Sequence, residues 1–521
     1  MSPKFKFPLL LSAIVLTTNC LAFQNSPSEC IVTSNLYTDN TIFSVKESDL
    51  LSAKPYHDNS FEGRNNTSVE SPVNSDSTLL STSDLYFLEE MTREVIDASR
   101  ILPGQKITPD FGGNNTGGTL IRPGGRACYP SFWIRDYAMS LESGFITLEE
   151  QLHMLQLTAS RQCDQTWITD AGSMVPVGAI ADHIRIDDGK PVYFPGTYNY
   201  KGQGGKKWGL FPPYCDQYFF VHMAWYYLKQ WTKPKFLAEE INGVRWIDRL
   251  EMAYKVPPTR QDGVLVSTIE EYRGIDFGFR DVITFTGDLC LPSLLKYRAS
   301  LEMAELFKLL HRNDKAQFYQ DIANRLSYEI PDRFLDARGM LLASTGTGKQ
   351  ADVWSTVLAI HFGVIKGTQR QKSSKFLADA FQKGTLSKRG NIRHVLTCDD
   401  FSETTAWEQS LARKNMYQNG ALWGTPTGWV CQAIAITDLK AARQLAKEYV
   451  DDLRAGDFRK GPDFGAPWEC YNEDAPQNAV YMTTVSCPYI VFKNLNFPYI
   501  YSSKPDDNGS RRNHLSTNKF K

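Results

Sequence analysis

The chain has 521 residues, of which 42% are hydrophobic, and a formal net charge of -1. That length and apolar content supply a large core, in one big domain or two medium ones. A charge so close to zero excludes the long-range field that nucleic acid or an anionic membrane would ask for.

The N-terminus reads MSPKFKFPLLLSAIVLTTNCLAFQ. Lys4 and Lys6 form a basic flank to the apolar run Phe7 to Leu16, which has the length of a signal peptide and is too short to span a bilayer comfortably. Cys20-Leu21-Ala22 offers cleavage after Ala22. The alternative is lipidation of Cys20, for which Thr17-Thr18-Asn19 is a poor preceding motif. Either route predicts an extracytoplasmic protein, secreted or periplasmic, with no later membrane span. Residues 23–82, rich in Ser, Asn, Asp and Thr, read as a leader or small cap. Residues 83–500 read as one helical domain and 501–521 as a tail. Asn65, Asn66 and Asn114 fall in N-x-S/T sequons.

Helical runs are expected at SDLYFLEEMTREVIDASRI, capped by Ser83 or Asp84, and then at 134–160, 215–231, 234–254, 288–311, 313–329, 350–366, 372–384, 403–413, 427–437, 438–453 and 478–494. A dozen helices, few alternating strands and no fixed-period repeat predict an all-α bundle or toroid rather than a plain solenoid. Ten cysteines show no CxxC pair, which argues against a zinc cluster. Several are expected in the core as small hydrophobes. Seven of the eight histidines, at 153, 183, 222, 311, 361, 394 and 513, show no ligand spacing, and TGTGK at 345–349 lacks the full phosphate-loop pattern. No cofactor or metal is expected.

The informative segments are the long loops, dense in Trp, Tyr, Arg, Asp and Glu. Aromatics make up 12% of the chain, with 11 Trp and 24 Tyr, which suits sites for the flat apolar faces of sugars and equally any large core. Four stretches stand out: RPGGRACYPSFWIRDYAMSLESGF from Arg122, FPPYCDQYFFVHMAWYY from Phe211, EEYRGIDFGFRDVITFTGDLCLPSLLKYRAS from Glu270, and FGAPWECYNEDAP from Phe464, preceded by NGALWGTPTGW at 419–429. Hydrolysis of a glycosidic bond needs a protonated carboxyl to serve the leaving oxygen and a second, ionised one as base or nucleophile. Asp276, between Ile275 and Phe277, is the best acid candidate, with Asp281, Glu270 and Glu271 as rivals. Glu469 in PWECYN is the best base candidate, with Glu473 and Asp474 as rivals. Glu403 and Glu408 read as solvent-facing or capping residues.

These stretches, in this order, resemble the six-hairpin glycosidase superfamily. PGGR with the following Trp and Asp-Tyr is similar to the first signature of trehalases. GIDFGFRD resembles their GWDFSSRW, and DLCLPSLLKYRASLEMAELF the helix that follows in trehalases and processing α-glucosidases (glycoside hydrolase families 37 and 63). FPPYCDQYFFVHMAWYY is similar to their Pro-Pro helix start, and PWECYN to their Glu-x-Tyr segment. The resemblance covers about residues 115–495. It implies an (α/α)6 toroid and an inverting glycoside hydrolase, exo-acting on an α-linked sugar. In it Asp276 is the general acid and Glu469 the general base. Arg126, Trp133, Arg135 and Asp136 grip the sugar, with Trp423 and Trp468 as further platforms and Arg280 beside the acid. Gly209-Leu210-Phe211 stands where trehalases carry Arg-Ser-Gln, and Arg135-Asp136 replaces Trp-Asp-Ser, so trehalose is not the implied substrate. The partner expected is a carbohydrate. Two other readings use the same residues: a polysaccharide lyase recruiting Tyr137, Tyr272 and His222, or a glycan-binding protein without catalysis.

Overall fold

A computed structural model describes residues 78–496, apart from 110, 127, 198–201, 206–208, 232 and 474. The stretch expected to be a signal peptide, Cys20, Cys30, most of the expected leader, the sequons at Asn65 and Asn66 and the C-terminal tail lie outside the described residues. Twelve α-helices occur among the described residues: α1 (Thr82–Ser99), α2 (Ile134–Ser140), α3 (Leu148–Ser160), α4 (Tyr214–Trp231), α5 (Trp246–Lys255), α6 (Cys290–Leu309), α7 (Asn313–Phe334), α8 (Val353–His361), α9 (Gly367–Gln382), α10 (Thr427–Ala435), α11 (Leu439–Ala455) and α12 (Met482–Asn496).

The even-numbered helices close a ring. α2 packs on α4, α4 on α6, α6 on α8, α8 on α10, α10 on α12, and α12 on α2 again. The odd-numbered helices pack on the outside of this ring: α1 on α12, α3 and α5 on α4, α7 on α6, and α9 and α11 on α10. The fold is therefore the all-α (α/α)6 toroid expected from the sequence. The two rings follow from residue patterning. α8 is buried at every position from Val353 to Ile360, as a helix walled on all sides must be. α11 buries one stripe (Ala441, Ala442, Leu445, Ala446, Tyr449, Val450, Leu453) and turns charge outward. No described helix is long and apolar enough to cross a membrane.

Connections alternate in length. Those leaving an inner helix are mostly short, such as 310–312, 362–366 and 436–438. Those entering one are long: 100–133, 161–213, 256–289, 335–352, 383–426 and 456–481. All the long loops thus gather at the N-terminal ends of the inner helices, where backbone N–H groups and the helix dipoles favour carboxylates. The loops form a closed layer of their own. Trp133 pairs with His183, Phe211 with Gly274, Leu289 with Ser344, Leu422 with Tyr471, and Gly124 with Tyr481. The remaining junction is Val353 N–H donating to the His394 carbonyl, at 2.9 Å.

Several expectations are corrected. The first helix is capped by Ser81, whose hydroxyl accepts from the Asp84 N–H at 3.1 Å, not by Ser83 or Asp84. The run 134–160 breaks into α2 and α3 because Gly144 turns the chain at φ 84°. The run 234–254 holds a short 3₁₀ turn and a hairpin before α5. No helix forms at 403–413. There the Asn419 side chain accepts from Thr405 Oγ1 (2.9 Å) and Ala406 N–H (2.8 Å) and donates to the Ala412 carbonyl (2.8 Å), while Trp407 is sunk in the core. Asn114 is buried, its amide donating to the Ile101 and Gly118 carbonyls at 2.8 Å, so this sequon is a structural bond.

Ser81→Ala is expected to lower stability by about 1 kcal/mol, read as a shift in urea midpoint, whereas Ser83→Ala, removing an exposed hydroxyl, should shift it little.

Candidate active site

The loop layer concentrates charge at three nodes. The first is Arg135, at the start of α2 and nearly sealed from solvent. Its Nη2 donates to Asp182 Oδ1 at 2.5 Å, and its Nη1 lies 3.7 Å from Asp216 Oδ1 at the start of α4. His183 Nδ1 lies 2.7 Å from Asp182 Oδ2, and the His183 ring stacks on Trp133 with centroids 4.4 Å apart. Gly278 lies against this guanidinium so closely that a Cβ there would sit 1.4 Å from Arg135 Nε. Glycine is required at this position by proximity.

The second node is Arg280, fully buried between Asp276 and Asp352, with 2.5 Å contacts to Oδ2 of each. Asp352 caps α8 and also accepts from Trp354 N–H at 3.0 Å and from the Ser355 hydroxyl. The guanidinium lies over the Phe285 and Trp407 rings. Asp276 is wholly buried, and its Oδ1 has no hydrogen-bond partner. Burial, with the charge of Asp352 adding and Arg280 opposing, moves its pKa up to about 6.

The third node is Glu469, buried on the strand Trp468–Asn472, which pairs with Ala475–Ala479 just before α12. Tyr129 Oη donates to its Oε2 at 2.7 Å, Tyr417 Oη to its Oε1 at 3.1 Å, and Asn478 Nδ2 to its Oε2. Burial raises its pKa to about 7; the three donors pull it down and Asp136 pushes it up. Asp136, on α2, accepts from Tyr481 Oη at 2.6 Å and is itself raised to about 6 by burial. Tyr129, Tyr417 and Asn478 all hold positive φ, at 60°, 47° and 47°. So do Asn415, Glu473 and Val480 nearby in sequence. Strain of this kind in non-glycine residues collects where geometry is imposed by the surrounding structure. Each of the three donors is half-buried, while Glu469 itself is buried.

Asp281 links the nodes. Arg135 and Asp182 both act on its charge, and the Gln418 amide faces it. Gln418 Oε1 accepts from Val282 N–H at 2.9 Å, and Leu411 N–H donates to the Val282 carbonyl at 3.1 Å. The segment 281–282 is thereby tied to the loop that supplies Tyr417, whose hydroxyl feels the charge of both Glu469 and Asp281.

The structure therefore places Arg135, Asp136, Trp133 and Glu469 in one loop layer, which also carries the fully buried pair Asp276 and Arg280. Three expected contacts are corrected. Arg126 donates to the Pro462 and Gly461 carbonyls (3.3 and 3.5 Å), strapping a loop. Trp423 is fully buried among Phe279, Trp354, Tyr417 and His394 and offers no face to a ligand. Trp468 occupies the opposite pleat from its neighbour Glu469 and packs over Gly465. Of the rivals, Glu270, Glu271, Glu403 and Glu473 are exposed, Glu408 is half-buried, and Asp474 lies outside the described residues. Tyr137, His222 and Tyr272 do not converge. They pack on Phe132, bond Glu302 and lean on Phe211 respectively. Sequence reasoning missed Tyr129, Tyr417, Asn478, Asp182 and Asp216. Only Asp216, in the first turn after Pro-Pro, carried a local signal.

No family model and no curated protein sequence matches the chain. Solved structures similar to it are glycoside hydrolases. A family 78 rhamnosidase of a Bacillus species shares 12% identity at a TM-score of 0.46, over 79% of this chain and 35% of that one, so the chain spans about a third of that protein. A family 63 mannosylglycerate hydrolase from Thermus thermophilus, in complex with glucose, shares 10% at 0.44, over 77% of this chain and 99% of that one. A structure described as a glycosidase variant shares 10% at 0.47, over 80% and 99%. The double ring of helices stands on its own packing, independent of these likenesses.

Gly278→Ala forces the locked Arg135 side chain to move. It is expected to cost about 1–3 kcal/mol as an overpacking change, seen as a lowered thermal midpoint.

Proposed function

We propose that the chain is an exported glycoside hydrolase that works with inversion, exo-acting on an α-linked sugar. The observation that carries this reading is the setting of Glu469. Three donors favour the ionised form of this carboxyl against the burial that raises its pKa to about 7, so it can take up a proton near neutral pH, as a general base must. It lies in one loop layer with carboxyls on the segment Asp276 to Asp281 whose protons are retained to near-neutral pH by burial. A pair of carboxyls, one to accept a proton and one to give it, is what glycosidic hydrolysis uses, and what distinguishes Glu469 in this pair is its ring of donors. In this reading Glu469 takes the proton of a water attacking the anomeric carbon. A carboxylic acid on the 276–281 segment protonates the departing oxygen. Arg135 and Asp136, both buried, fix the wall of the sugar site from behind, and Trp133 belongs to that wall. Export rests on the N-terminal run of Lys4, Lys6 and the apolar stretch to Leu16.

The test is digestion of a glycan panel with the purified protein, following the anomer first released by NMR. Release of the inverted anomer is expected; unsaturated products absorbing in the ultraviolet would instead establish a lyase. Glu469→Gln should lower turnover by about 10²–10⁴-fold while leaving glycan binding measurable.

The pH dependence follows from the same contacts. A base with its pKa raised to about 7 works above that pH and is lost as pH falls through it. Tyr129→Phe removes a donor to the ionised form, so Glu469 holds its proton to higher pH. The acidic limb of kcat/KM is expected to move upward in this variant.

A further inference from the structure

We infer that Asp281, rather than Asp276, is the carboxylic acid that delivers the proton to the glycosidic oxygen, and that Asp276 is a positioning residue for Arg280. This rests on the hydrolase reading above and specifies its acid.

The argument is one of access and anchorage. A general acid must touch the leaving oxygen, so it needs an open face. Asp276 has none: the residue is fully buried, one oxygen is bound by Arg280 and the other is sealed. Its ion partner reaches on to Asp352 at the head of α8. Asp276, Arg280 and Asp352 therefore form a closed buried triad, the kind of contact whose loss destabilises a fold. Asp281 retains exposed surface, while its Oδ1 is buried without a hydrogen-bond partner. No ion pair within 4 Å neutralises it among the described residues, unlike Asp276.

Its anchorage is shared with the base. Val282 is bonded to Gln418, and Tyr417, the residue just before Gln418, donates to Glu469. One loop therefore sets both carboxyls. The groups facing Asp281 are Arg135, which favours its ionised form, Asp182, which opposes it, and Gln418. Burial outweighs Arg135 and raises the pKa of the carboxyl to about 7, so it can give up a proton near neutral pH. In the step itself the bond between the anomeric carbon and the leaving oxygen breaks as the Asp281 proton passes to that oxygen. The water oxygen bonds to the anomeric carbon and its proton passes to Glu469. Asp281 ends ionised and Glu469 protonated, and exchange with solvent restores both.

Leaving-group dependence separates the two aspartates. For the sugar that the wild-type protein hydrolyses, Asp281→Asn and Asp276→Asn are assayed on a methyl or oligosaccharide glycoside and on the corresponding glycosyl fluoride, whose departure needs little protonation. Thermal midpoints are read alongside. Asp281→Asn should lose about 10²–10⁴-fold on the glycoside and far less on the fluoride, with its midpoint close to wild type. Asp276→Asn should lower the midpoint and affect both substrates alike. The alkaline limb of the wild-type pH profile should appear with the glycoside and disappear with the fluoride. A leaving-group-dependent loss in Asp276→Asn, with Asp281→Asn indifferent, overturns the assignment but leaves the hydrolase reading standing. An Asp281→Asn loss equal on both substrates also overturns it, and partial rescue of the glycoside by Asp281→Glu supports it. A wild-type protein that cleaves neither class overturns the hydrolase reading itself.

Discussion

The guanidinium of Arg135 is the constraint on which the loop layer depends. It is a charge out of water, which costs several kcal/mol unless matched. The match is distributed: Asp182 comes from the connection entering α4, Asp216 from α4 itself, and the bare backbone of Gly278 from the connection entering α6. Three segments far apart in sequence must therefore arrive together before any one is satisfied. Arg280 repeats the device one step round the ring, tying the α6 connection to α8. Removing a partner from either cluster leaves a buried charge alone, so the loops are held cooperatively although they contain little regular structure.

Rigidity of this kind is what allows strained backbone to persist around Glu469. A left-handed conformation costs a non-glycine residue about 1–2 kcal/mol. Tyr129, Tyr417 and Asn478 adopt it together, each aiming a donor at one carboxylate. Loops free to relax would surrender that geometry. A layer bonded to itself at every junction, on the ends of six buried helices, cannot do so without breaking several contacts at once. The helical toroid thus works as a frame that keeps the Glu469 cluster from moving.

Much of the frame was legible in the sequence because inner and outer helices leave different patterns. The runs at 350–366 and 438–453 each announced a helix, and their apolar and striped patterns match the inner and outer places the structure gives them. Failures occurred where a single residue overrides periodicity. Gly144 splits a run that otherwise reads as one helix. Asn242-Gly243, a strong hairpin signal, sits inside the supposed helix 234–254. At 403–413 the Asn419 side chain consumes backbone groups that a helix would need. Among the residues clustered in the loop layer, Glu469, Arg135 and Asp136 stand out in the sequence from their setting in aromatic loops. Tyr129, Tyr417 and Asn478 do not, since their roles depend on contacts spanning from 9 to 340 residues along the chain. Trp423 misled for a related reason: a tryptophan in a glycine-rich loop reads as a platform until its packing is known.

The cysteines carry a consequence of a different sort. All eight described thiols are unbridged, and six of them (163, 215, 290, 431, 470 and 487) are buried. Inside the folded chain they are inert, each occupying the volume of a small apolar group. Once the rings part, all six meet solvent and one another, free to cross-link in an oxidising medium. Heat or denaturant should then act as a ratchet: each excursion to the open chain risks a covalent knot, and the lifetime of the protein is governed by how seldom the rings part.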